Sequence, residues 1–95
     1  MYRLRVLERA RKDMRQSAEW YDSQQSGLGE KFLLEVVATF QSIQTSPLHY
    51  EVKFSKKFRF AQVHVFPFVV IFKIKGDEVV VNSVFHTSRN NRRYI

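Results

Sequence analysis

Hydrophobic positions change their spacing along this chain, and each change marks an element. Residues 2–7 alternate Tyr2, Leu4 and Val6 with Arg3 and Arg5, the period of two of a half-buried strand. From residue 8 to residue 25 the period lengthens. Ala10, Met14, Ala18 and Tyr21 follow one another at helical spacing and form one narrow apolar stripe, so an amphipathic helix is predicted. Its flank carries Glu8/Lys12, Arg11/Arg15 and Arg15/Glu19, a solvated face on which pairs of opposite charge add a few tenths of a kcal/mol each. Ser26 and Gly27 interrupt the pattern; Gly27 can take a positive φ, which lets the chain reverse, and Ser26 is the expected N-cap of a second helix. There Leu28, Phe32, Val36 and Phe40 recur every fourth residue, with Leu33, Val37 and Ile43 beside them. A face this broad suits burial against a sheet. Pro47 cannot extend the helix, which should end near Thr45, and the two helices are predicted to form an antiparallel hairpin.

The rest of the pattern is that of strands. In KIKGDEVVV, Gly76 and Asp77 fill a two-residue turn that pairs Lys75 with Glu78, Phe72 with Val81, Val70 with Ser83 and Phe68 with Phe85. One face of the hairpin then collects Phe68, Val70, Phe72, Ile74, Val79, Val81 and Phe85, while the other mixes Val69, Ile71, Lys73, Val80, Asn82, Val84 and His86. Phe58 and Phe60 flank Arg59 in an earlier strand, and Pro67 belongs at the start of the next. The order β-α-α-β-β-β predicts an α+β fold, an antiparallel β-sheet packed on one face by the α-helical hairpin, as a single domain over residues 1–95.

Composition narrows the class. Ninety-five residues suffice for one hydrophobic core, and 44% hydrophobic content with two prolines and three glycines is that of a folded domain. The absence of cysteine excludes disulfides, thiolate metal sites and thiol nucleophiles, and favours a reducing compartment. Arg3 and Arg5 interrupt the only apolar residues near Met1, and no run has the length of a membrane span, so a cytoplasmic protein without membrane contact is expected. The net charge of +7 is unevenly placed: residues 1–52 balance, whereas residues 53–95 hold all the excess. Such a field favours a polyanion or an acidic protein as partner.

If Phe58 and Phe60 point into the core, Arg59 points to the face without helices. Lys53, Lys56, Lys57, Lys73, Arg89, Arg92 and Arg93 would share that face or its rim, with His86 delivered there by the last strand. Phosphates would be held by these cations and a base stacked on Tyr94. A metal-free RNA cleavage could use Arg59 and Arg89 for the phosphate charge and Tyr94, His86 or a lysine for protons. No metal-ligand spacing, carboxylate pair, phosphate-binding loop or nucleophile elbow is present, so neither metal nor other cofactor is expected.

Four segments, WYDSQQSGLGEKFLLEV, SPLHYEV, FPFVVIF and VVVNSVFHTSRN, together resemble the RelE/ParE superfamily of toxins from bacterial type II toxin-antitoxin systems, over nearly the whole chain. The resemblance implies a growth-inhibitory cytoplasmic toxin of a plasmid-stabilization type of system. A cognate acidic antitoxin would neutralise it, and operator DNA would be reached only through that antitoxin. RelE-like members are ribosome-dependent mRNA endonucleases that work with basic residues and a C-terminal tyrosine, and Arg59, Arg89 and Tyr94 lie at comparable positions, with Lys53, Lys56 and Lys57 near the family's lysines. ParE-like members inhibit DNA gyrase. The GLG turn, the FPF strand start and the H-x-x-R ending are more similar to the ParE-like branch, although Asn91 stands where that branch usually has proline. The alternatives are thus a gyrase inhibitor, an RNase on the same fold, and a basic nucleic-acid-binding module without toxicity.

Overall fold

The structure, a computed structural model, describes residues 1–88. Strand β1 (Arg3–Val6) leads into α1 (Glu8–Gln24) and α2 (Leu28–Thr45); after a single 3₁₀ turn at Pro47–His49 come β2 (Val52–Phe54), β3 (Phe58–Gln62), β4 (Phe68–Lys75) and β5 (Glu78–His86). The strands form one sheet in the order β1-β5-β4-β3-β2. The expected α+β architecture holds, with two additions: β2 is a further short strand, and β1 lies parallel to β5, so the sheet is mixed. A parallel pair needs a long crossover, and the helical hairpin supplies part of it.

The helices meet closely because the residues between them are small. Ala10 and Ala18 are the buried residues of α1, and Gly29 sits so near Ala18 that a Cβ there would lie 2.3 Å from its carbonyl oxygen. Gly27, at φ 88°, takes the N-cap position expected for Ser26, and its lack of a side chain is made good from the neighbouring helix. The Asp22 carboxylate of α1 accepts the Gly29 N–H at 2.8 Å and so caps α2. From α2, Phe32, Val36, Phe40 and Ile43 then press onto the sheet, and the Phe32 ring packs edge-on to Phe66 and tilted against Phe68, with centroids 5.3 and 4.8 Å away.

Each face of the sheet has its own apolar cluster. The helix side collects Ala61, Phe68, Val70, Phe72, Val79, Val81 and Val84. The opposite side holds Val69, Ile71 and Phe85, with Phe58 and Phe60 packed against them. This division corrects the expected register. From Lys75↔Glu78 to Phe72↔Val81 the β4–β5 pairing is as anticipated, but the next pair is Ile71↔Ser83, so Asn82 is an extra residue, a β-bulge. Beyond it every β5 side chain changes face: Val84 turns to the helices, opposite Val70, Phe85 turns away from them, opposite Val69, and Phe68 faces His86.

Candidate functional site

Arg59 does not project from the face away from the helices. It pairs with Phe72, whose side chain lies in the helix-side core, so the guanidinium is on the helix side too. There Nη1 donates to the Tyr50 carbonyl, pinning the segment that links the 3₁₀ turn to β2. Phe58 and Phe60 were expected in the helix-covered core, and their placement in the opposite cluster turns Arg59 round. His86 is displaced by the bulge in the same sense. Its ring stands edge-on to Phe68 at 5.0 Å, and its Nδ1 accepts the Ser88 backbone N–H at 3.2 Å and lies 2.7 Å from Ser88 Oγ. That acceptor role places the proton of the neutral ring on Nε2. The two residues share a face without sharing a site, since their partners Phe68 and Phe72 are four residues apart on β4, roughly 13 Å along the strand.

The lysines fall in two places. Lys53, Lys56 and Lys57 are exposed on the β2–β3 hairpin, where Ser55 and Lys56 both take positive φ, 52° and 58°. Lys53 lies 3.5 Å from Glu51, and the Lys57 ammonium sits 5.5 Å over the Phe58 ring. Lys73 is opposite Val80, which is in turn aligned with Arg5, on the face turned from the helices. Arg89, Arg92, Arg93 and Tyr94, to which the sequence assigned phosphate, rim and stacking roles, lie outside the described residues.

One concavity was not anticipated. A cleft of about 410 Å3 opens between α1 and the far ends of β4 and β5, lined by Asp13, Gln16, Ser17, Trp20, Tyr21, Phe68, Val84, His86 and Ser88. Helical spacing brings Asp13, Gln16, Ser17, Trp20 and Tyr21 to one side of α1. The Asp13 carboxylate accepts the Val84 N–H at 3.0 Å. Since β1 ends opposite Val81, Asp13 substitutes for a strand partner that β5 lacks at this point. Burial pushes the Tyr21 phenol above its ordinary pKa, so the wall it forms stays neutral. Trp20, 58% exposed, stands at the rim. In the sequence only Tyr21 of these α1 residues stood out, as part of the apolar stripe, and only the bulge brings His86 and Val84 to meet them.

Among the described residues no group of three or more His, Cys, Asp or Glu has the arrangement of a metal site, and no helix is long and apolar enough to cross a membrane.

The fold and most of the sequence agree on one relationship. The family model for the ParE toxin of the type II toxin-antitoxin system parDE matches residues 4–91. The chain belongs to the ParE toxin family. Its structure is similar to that of a chain from the chromosomal ParDE toxin-antitoxin system of P. aeruginosa, with a TM-score of 0.84 over 93% of this chain and 98% of that one, at 16% sequence identity. At this identity the likeness is one of fold. Comparison with curated protein sequences finds no significant match.

Proposed function

We propose that this ParE-family toxin arrests growth by binding DNA gyrase in the cytoplasm, and that a cognate acidic antitoxin neutralises it by covering its basic surface. Membership of the ParE toxin family over residues 4–91 favours gyrase over the ribosome as target. The observation that carries the choice is the disposition of Arg59. Its guanidinium is engaged with the Tyr50 carbonyl on the helix side, and the backbone of His86 is roughly 13 Å further along the strand direction, which speaks against these two groups acting on one phosphate. Lys53, Lys56 and Lys57 on one hairpin offer the antitoxin an exposed cationic edge, and such binding weakens as salt rises because exposed charges are screened over about 8 to 10 Å.

Induction of the chain in cells without antitoxin tests this reading. Loss of DNA supercoiling and arrest of replication before translation slows is the expected result. Translation failing first, with mRNA cut in codon-sized register, would establish the RNase alternative instead. Arg59→Gln separates the two chemically: it leaves toxicity of a gyrase binder in place and removes that of an RNase relying on Arg59.

A further inference from the structure

The cleft between α1 and the ends of β4 and β5 departs from the charge of the chain around it. The sequence holds 16 Lys and Arg against 9 Asp and Glu. Among the described residues that line the cleft none is Lys or Arg, and Asp13 is a carboxylate. Its Oδ2 accepts the Val84 N–H at 3.0 Å, which anchors the negative charge at the wall. The rest of the lining is largely aromatic: Trp20, 58% exposed, stands at the rim, with Tyr21, Phe68 and His86 further in.

The planes of these rings are crossed. Trp20 and Tyr21 meet at 76°, Phe68 and His86 at 80°, and Tyr21 and Phe68 at 57°. Parallel walls would make a slot for a flat base, whereas planes at steep angles make a box, which suits a rounded group. The face of an aromatic ring carries negative charge density, so a cation is attracted there, and a carboxylate at the same place adds to the attraction. An anionic ligand would instead meet Asp13 with no basic side chain of the lining to hold it. We propose that the cleft binds a small organic cation of the alkylated ammonium kind, its head enclosed by Trp20, Tyr21 and Phe68 and set beside Asp13. Its volume of about 410 Å3 falls among those of small-molecule sites, about 300–1,000 Å3. The site is separate from the gyrase reading, since neither Arg59 nor the lysines of the β2–β3 hairpin line it.

Trp20 is the single tryptophan of the chain, so its emission reports on the rim. Titration of the full chain with choline, and in parallel with its neutral isostere in which a quaternary carbon replaces the nitrogen, separates charge from shape. The expected result is a saturable change in emission with choline at about millimolar concentration, at least tenfold weaker with the isostere. Asp13→Asn keeps an oxygen for the Val84 N–H and should weaken choline binding at least tenfold. Trp20→Ala, at an exposed position and followed by calorimetry, should weaken it several-fold and serves if Asp13→Asn fails to fold. Equal binding of choline and the isostere, no saturation up to about 50 mM, or affinity indifferent to the substitutions would overturn the proposal and leave the gyrase reading untouched.

Discussion

Gly29 is where one atom decides how the helices pack. Alanine is the better helix former by about 1 kcal/mol, yet here its Cβ would stand 2.3 Å from the Ala18 carbonyl oxygen and 2.8 Å from Asp22 Cγ. The overlap is with backbone and with the residue that caps α2, so neither yields cheaply. Gly29→Ala is therefore expected to destabilise by about 1–3 kcal/mol, read as a melting temperature lower by roughly 4–8 °C per kcal/mol. Val65 is the reverse case. It is 73% exposed and β-branched, and it sits at φ 74° in the β3–β4 loop, a conformation that costs a non-glycine residue about 1–2 kcal/mol. The loop tolerates it because buried Phe66 beside it packs edge-on to Tyr21 and Phe32, and Gln62 Nε2 donates to the Phe66 and Phe68 carbonyls. Val65→Gly should raise stability by up to about 1 kcal/mol, the relief being partly offset by the greater chain entropy of glycine, and a urea titration will show it. The glycine break at residue 27 was legible in the sequence; the strain at Val65 was not, because nothing local marks a valine as left-handed.

At the scale of elements, one extra residue in β5 redistributes the functional side chains. Alternation predicted the hairpin, its turn and the register nearest that turn, since these depend on neighbouring residues and on Gly76, whose φ is 62°. It failed beyond Asn82 because a bulge leaves the hydrophobic pattern nearly unchanged: Val84 and Phe85 are both apolar, and either can serve the helix-side core. Arg59 was misplaced for a related reason, as a strand with apolar clusters on both faces gives alternation nothing to choose between. The bulge is tied to α1 through Asp13. Removing the carboxylate in Asp13→Ala leaves the Val84 N–H without its acceptor and should cost about 1.5–3 kcal/mol in chemical unfolding, the range for a hydrogen bond to a charged group. The parallel β1–β5 pair has a lesser support in Arg3–Asp77, at 3.0 Å. The Arg3 hydrogen bond and charge hold the Asp77 carboxyl below its ordinary value of 3.8, so the contribution is complete above that pH and is lost as pH falls through the lower folded-state value. Both side chains are largely exposed, so the effect is small and weakens with salt. Wild-type and Asp77→Asn urea midpoints should differ slightly at neutral pH and converge in strong acid; a gap that widens on acidification would contradict this.

For the whole molecule, we propose that this ParE-family toxin stops growth by occupying gyrase rather than by cutting RNA. The fold is set by a helical hairpin closed at Gly29 and a sheet whose two faces are both apolar, and among the described residues the cationic groups singled out from the sequence are spread: Lys53, Lys56 and Lys57 at one hairpin, Arg59 under the Tyr50 carbonyl, Lys73 on the far face. A dispersed set suits adhesion to a protein surface, where many weak contacts add, better than it suits phosphoryl transfer, which needs groups converging on one atom. The most direct measurement adds the purified chain to DNA gyrase relaxing and supercoiling a plasmid, and in parallel to ribosomes translating a defined mRNA. Inhibited supercoiling with intact mRNA, reversed by an acidic antitoxin, is the predicted result; undisturbed gyrase together with mRNA cut in codon-sized register would contradict it.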